Sequence, residues 1–377
     1  MDRTSLRRWM AGTSVLALAT GMAMPAAAAD KISLGLGGYF QFFGVVADQD
    51  DGAGEPGAGV REHGVARESE IHFSGKTTLD NGIEVGVRVE LEGETVGDQI
   101  DESYIWFEGG FGRVELGSED PAADAMFYGA PTPIAGHGVN SPNMFHASSG
   151  ANAVGTSTTF VGIAGDSDKV TYFTPRFHGF QFGISYTPDA TQEIGAGLRP
   201  DVTPAGATPQ QSEAFEGAVN WEGTIVGVDI GAYAAYSVAD VEGAAPGTGP
   251  LVGFEDQEMW GAGASLSYMG FTLGGSYRWT DQGLSGSNTD RWDANIGLVY
   301  AWSAWSLGAA YGHGEVEVGP GAGEDELDMI EVGFIYNLGP GIDISGGVQF
   351  VDYDSDTGGP AAENDAVLGL LGTSISF

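Results

Sequence analysis

The chain has 377 residues, with 14 Lys and Arg against 52 Asp and Glu, a net charge of −38 and no cysteine. That acid excess excludes nucleic-acid binding, which needs the opposite sign, and the lack of thiols excludes disulfides, thiolate metal sites and a cysteine nucleophile. Disorder is excluded too, since hydrophobic residues make up 42% and aromatics 11%, while 63 glycines without a collagen period suggest many strands joined by glycine turns.

Residues 1–29 have the grammar of a secretory signal peptide. Arg3, Arg7 and Arg8 start it, an apolar run extends from Trp9 to about Met24, and Pro25 to Ala29 form a small-residue cleavage site before Asp30. Taking those three arginines from the 14 basic residues leaves 11 for residues 30–377. No later stretch is apolar enough for a transmembrane helix. Instead, segments alternating apolar with small or polar residues recur, the period-2 signature of strands. In Ile83–Glu92, one face carries Ile83, Val85, Val87, Val89 and Leu91, and the other Glu84, Arg88, Glu90 and Glu92.

Sixteen such segments are expected, near 31–46, 67–79, 83–95, 101–108, 111–118, 168–175, 179–187, 213–221, 225–238, 257–268, 270–280, 291–301, 304–317, 327–338, 341–352 and 365–377. Their connections alternate in length. Tight turns are expected at Asp80-Asn81-Gly82, Gly109-Gly110, Phe177-His178-Gly179, Glu222-Gly223, Met269-Gly270 and Leu338-Gly339-Pro340, with long Gly-, Pro- and acid-rich connections between them. An even strand number with short turns at one end and long loops at the other is the topology of an outer-membrane barrel, which leaves no open edge in lipid. The longest connection, 119–167, would narrow the aqueous bore if folded inward. The expected fold is therefore all-β: a sixteen-stranded antiparallel transmembrane barrel over 30–377, with 119–167 either left outside or folded inward as a constriction loop.

The hairpin Gly109-Gly110-Phe111-Gly112-Arg113-Val114-Glu115-Leu116-Gly117 resembles the one preceding the constriction loop of trimeric Gram-negative general diffusion porins. Val170-Thr171-Tyr172-Phe173-Thr174-Pro175 with Phe177-His178-Gly179-Phe180 is similar to the strand, turn and strand after that loop. Thr373-Ser374-Ile375-Ser376-Phe377 resembles the Phe-terminated last strand read by the outer-membrane assembly machinery. The alphaproteobacterial branch fits the order and spacing. The resemblance implies a homotrimer in outer-membrane lipid and lipopolysaccharide, each barrel passing small hydrophilic solutes.

It also implies a wall of Arg and Lys facing loop carboxylates across the narrowest point. Strand parity turns Lys76 and His72, Arg88 and Glu90, and Arg113 and Glu115 inward. The matching loop acids are Glu119, Asp120 and Asp124, with Asp166 and Asp168 near the loop's return. Opposed charges across a narrow water column would orient polar solutes. With so few bases the positive wall is thin, and mild cation selectivity is expected. No cofactor is required. Calcium or magnesium is a candidate at acidic extracellular loops, where Asp352, Asp354, Asp356 and Glu363 have nearly EF-hand spacing. Asp48, Asp50, Asp51 and Glu55, and Glu324, Asp325, Glu326 and Asp328, form further acid clusters.

No serine-elbow, zinc-protease or phosphate-loop motif is present, so no catalytic chemistry is expected. Alternatives are a substrate-selective channel, a barrel enzyme such as an outer-membrane phospholipase, and a secreted β-rich binding protein. The phospholipase would need a Ser/His pair on the outer wall, for which His72 and His313 have no evident partner. Trp260, Tyr268, Trp279, Trp292, Tyr300, Trp302, Trp305, Tyr311 and Tyr336 are read as interfacial girdles or trimer contacts.

Overall fold

A computed structural model describes residues 31–93, 99–141, 146–191, 202–203, 208–244, 253–283, 289–319 and 323–377, so the segment read as a signal peptide, 1–29, lies outside the described residues. The strands are β1 (Gly35–Gln49), β2 (His63–Thr78), β3 (Glu84–Glu92), β4 (Ile100–Gly109), β5 (Gly112–Ser118), β6 (Asp168–Phe173), β7 (Phe180–Asp189), β8 (Val202–Thr203) and β9 (Gln211–Ile225). They continue with β10 (Val228–Val241), β11 (Gly243–Ala244), β12 (Gln257–Tyr268), β13 (Phe271–Thr280), β14 (Arg291–Trp302), β15 (Trp305–Glu317), β16 (Glu324–Gly339), β17 (Ile342–Ser355) and β18 (Asn364–Ser376). Apart from the short parallel pair β8–β11, sixteen strands close into one barrel in chain order, with β1 pairing β18.

All sixteen expected strands are present, and the differences lie at their ends. Glu222 and Gly223 belong to β9, and the turn is Val226-Gly227. Likewise the turn before β17 is centred on Pro340-Gly341. Three two-residue turns share one geometry, with positive φ at both central residues: His178-Gly179 (49°, 87°), Val226-Gly227 (51°, 81°) and Met269-Gly270 (49°, 86°). This is the turn whose twist matches that of paired strands. Val226 carries no polar turn signature, which is why the reading stopped four residues early.

The outer face is apolar between two aromatic rows. At the turn end Tyr268 pairs with Phe271 and Phe271 with Tyr300, and Trp302 pairs with Trp305, which faces Tyr336. At the loop end Trp260, Trp279 and Trp292 lie side by side on β12, β13 and β14. Eight residues separate the rows on β14, about 26 Å along the strand and roughly 20 Å in height at the usual tilt. Between them the outward residues of β14 are Ala294, Ile296 and Leu298. That band fits the hydrocarbon core of a bilayer. The chain end closes the barrel, Gly38 and Phe377 exchanging two main-chain hydrogen bonds of 3.0 Å.

Candidate pore constriction

Residues 119–141 and 146–167 fasten to the inward faces of the wall from β7 around to β1. The one-turn helix α1 (Ala122–Ala125) donates the Ala122 N–H to Ser185 Oγ on β7 at 2.8 Å. Farther along, the Ile163 N–H meets Glu216 Oε1 on β9 (2.6 Å), and Thr159 Oγ1 meets Ser276 Oγ on β13 (2.6 Å). Tyr353 OH on β17 donates to Gly155 O at 2.5 Å, and Asn152 Nδ2 reaches Asp354 O at 2.8 Å. Ile134, Val139 and Val154 then bury against inward Phe43, Leu327, Met329, Tyr353 and Leu368.

Inward glycines make room for this segment. A Cβ on Gly231 would lie 2.2 Å from the Tyr128 ring, on Gly263 2.0 Å from Tyr128 O, on Gly274 2.2 Å from Gly129 O, and on Gly333 2.2 Å from Ile134. Gly261 and Gly263 pack closely against the segment as well as against the neighbouring strand.

The other wall, β2 to β5, keeps its inward bases partly in water, while Glu90 and Glu115 beside them are buried. Lys76 is 63% exposed and pairs with Glu84 at 2.8 Å. Arg88 is 35% exposed and pairs with Glu90 of its own strand. Arg113 bonds Glu115 and Glu108 (3.3 Å) and lies 4.6 Å over the Trp106 ring. Lys76 and Arg113 sit beside the short turns, where a cavity of about 660 Å³ includes Glu108, Arg113, Tyr128, Arg176, Gln181 and Glu222. Arg88 alone of the three stands at mid-strand.

Each of these bases is paired with a strand carboxylate. The loop acids differ among themselves. Asp120 is exposed. Glu119 is buried, and burial with the neighbouring Glu115 raises its carboxyl to about 9. Burial and the charges of Asp120, Asp166 and Glu216 push Asp124 well up, against the pull of Arg278.

Three bases that sequence reading passed over hold the segment. Lys169 Nζ donates to the main-chain oxygens of Glu119, Gly165 (2.6 Å) and Ser167 (2.7 Å), clamping both ends together. Arg278 reaches Phe160 O at 3.3 Å, and Arg291 reaches Val154 O at 3.1 Å and also Thr156 O. Both pair with Asp293, which is fully buried. Parity could have found them: Lys169 shares a face with Thr171, Arg278 with Ser276, and Arg291 with Asn295.

His137 and His146 face each other, Nε2 to Nε2 at 3.2 Å, and His137 stands edge-on to Phe43 with centroids 4.3 Å apart. Burial lowers both, His137 to about 4. A histidine neutral when docked and free to protonate when released stabilises docking fully above about pH 6.5, and that contribution is lost as pH falls toward 4. Channel current is expected to become noisier between pH 6 and pH 4.5 in wild type and to stay steady in His137→Phe. Noise that rises equally in both would contradict the assignment.

The residues with calcium-like spacing lie on and just after one strand. β17 runs on to Ser355, so Asp352 and Asp354 are extended strand residues on its outer face. Asp356 instead accepts the Glu324 N–H at 3.3 Å. Among the described residues, the groups whose ligand atoms converge are Glu70/His72/Glu90, Glu70/Glu92/Asp101 and Glu315/Glu324/Glu326. On the outer wall, His313 Nδ1 bonds Asp328 at 2.9 Å, while its Nε2 has no hydrogen-bond partner. Among the described residues, the charged groups nearest that ring are Asp328 and Glu315, the latter 3.9 Å from Nε2.

A family model described as Gram-negative porin matches residues 12–356. Among curated proteins, a "Monosaccharide porin" of Halomonas sp is 25% identical over 281 residues, covering 72% of this chain and 66% of that protein. This chain thus spans just under two thirds of that relative. "Outer membrane porin protein 32" of Delftia acidovorans is 26% identical over 328 residues, 80% of this chain and 79% of the relative. Among solved structures, "Anion-selective porin from Comamonas acidovorans" superposes with a TM-score of 0.62 at 17% identity, covering 92% of this chain and all of that one. In vitro folded OmpT of Vibrio cholerae gives 0.60 at 13% identity, covering 94% of this chain and all of that one. At those identities the structures share the fold.

Proposed function

The chain belongs to the Gram-negative porin family of the outer membrane, and from that membership we propose that it forms an aqueous channel for passive diffusion of small hydrophilic solutes and ions. One observation carries the reading: residues 119–141 and 146–167 pack on one side of the lumen, while the β2–β5 wall opposite keeps Lys76 and Arg88 partly in water. The barrel interior is thereby narrowed without being filled. Single-channel recording in planar bilayers tests it, with stable ohmic openings expected. A purified, correctly folded barrel that gives no conductance would overturn it.

We assign three copies per channel unit, lipopolysaccharide as the outer-leaflet neighbour, recognition of the Phe377 end by the assembly machinery and membership of the alphaproteobacterial branch. Residues 1–29 act as the cleaved signal peptide, and no catalytic step is assigned. Lys76, Arg88, Arg113, Asp120 and Asp124 line the water path in this reading, while Glu119 braces the segment beside it.

Mild cation preference follows from the same wall. Its bases are paired, whereas carboxylates of Glu70, Glu92 and Asp101 converge within 4.8 Å of one another. In a confined bore such acid repels anions more strongly than open water allows. In a salt gradient the reversal potential is expected to show cation preference, and Asp120→Asn with Glu90→Gln should move it several millivolts toward zero. Anion preference in the unaltered channel would contradict this. A more selective channel, for sugars, is favoured by the ring of Tyr128, Arg176, Gln181, Asn220 and Glu222 at the turn-end mouth. Liposome swelling faster with monosaccharides than with uncharged solutes of equal size would select that reading.

A further inference from the structure

We infer that the lumen holds a binding site for a divalent transition-metal ion, with zinc as the probe, built by His72, Glu70 and Glu90. The inference rests on the channel reading only in that it needs the lumen to be wet.

The three residues come from neighbouring strands at matched register: His72 stands opposite Glu90, and Glu70 lies two residues along β2 on the same inward face. His72 Nε2 lies 2.7 Å from Glu70 Oε2 and 3.3 Å from Glu90 Oε2. Two ligands on a tetrahedral zinc, each about 2.0–2.1 Å from the metal, sit about 3.3 Å apart. The His72–Glu90 edge already has that length, and the His72–Glu70 edge needs to open by roughly 0.6 Å.

Each carboxylate is also oriented by an outer donor. Tyr39 OH donates to Glu70 Oε1 at 2.6 Å, which leaves Oε2 turned to His72. Arg88 Nε donates to Glu90 Oε1, which leaves its Oε2 likewise turned inward. One oxygen held and one offered, twice over, around a ring nitrogen is the arrangement by which outer donors aim ligands at a metal. A lone acidic patch has no such directionality, and an imidazole nitrogen favours zinc-like ions over calcium or magnesium.

The position at the centre of the triangle is now taken by a proton. Arg88 Nη2 lies 3.3 Å from His72 Nδ1, so that nitrogen accepts and Nε2 carries the hydrogen donated to Glu70. An incoming cation takes the Nε2 lone pair, the proton moves to Nδ1, and the Arg88 Nη2 contact to that nitrogen is lost. The Nε2–H hydrogen bond to Glu70 is replaced by bonds from the cation to Glu70 Oε2 and Glu90 Oε2, and the cation sheds the waters that these three ligands displace. The bound ion adds two positive charges to the acid wall and weakens its preference for cations.

The test uses the intact protein in detergent and in bilayers. Cobalt titrated into the detergent-solubilised protein should produce visible ligand-field bands that zinc abolishes and magnesium does not. Tyr39→Phe should weaken binding about tenfold, as expected for loss of an orienting donor, and His72→Ala should remove the bands. In bilayers, zinc should lower the current or shift the reversal potential in wild type and not in His72→Ala. Cobalt bands that persist in His72→Ala, or no saturable binding at all, would overturn the site. Bands without any conductance would leave the site standing and overturn the channel reading instead.

Discussion

Replacing Asp293 with alanine is expected to lower the thermal stability of the folded barrel more than any other single change in the lumen. The Asp293 carboxylate is fully buried and accepts from Arg278 Nη2 at 2.5 Å and from Arg291 Nη2 at 2.9 Å. Its loss strands two guanidiniums whose remaining partners are main-chain oxygens of the inward segment. Removing one partner of a buried charge group costs about 3–5 kcal/mol, because the charge left behind keeps its desolvation penalty. Asp293→Asn retains an acceptor and should fall between alanine and wild type. Thermal unfolding followed by the gel shift of the folded barrel reads the difference, and an unchanged midpoint for Asp293→Ala would contradict the network.

Lys169→Met should act on the channel more than on the barrel. The methionine keeps the length of the buried stem but leaves the main-chain oxygens of Glu119, Gly165 and Ser167 without their shared donor. Each orphaned buried acceptor costs roughly 1–3 kcal/mol. The barrel strands keep their hydrogen bonds, so the strain is relieved by the segment lifting at its base. Larger and noisier unitary currents are expected in bilayers, with a melting midpoint close to wild type. Currents identical to wild type would show that the clamp does not hold the constriction.

The barrel was legible because period-2 alternation and turn residues are local signals, and both repeat along the whole chain. The inward segment was legible as a long connection, but not its seating. Seating depends on pairs such as Thr159 with Ser276 and Asn152 with Asp354, far apart in sequence and joined only when the barrel closes. Parity placed Arg88 and Arg113 inward, yet it could not tell that each meets a carboxylate two residues along its own strand. The end of β17 was misjudged for a related reason. The expected strand stopped at 352 and left Asp354 in the loop, whereas the inward neighbours Tyr353 and Ser355 keep β17 extended and buried.

The central claim is that water and ions pass along the β2–β5 wall and not through the side packed by residues 119–167. A chain without cysteine allows that to be measured directly. Single cysteines are placed at Arg88 and Asp120, which face the lumen water, and at Phe43 and Leu327, which are fully buried beneath the segment. A charged thiol reagent is then added during bilayer recording. Currents should fall at positions 88 and 120 and stay unchanged at 43 and 327. Modification at 43 or 327 with no effect at 88 and 120 would contradict the account.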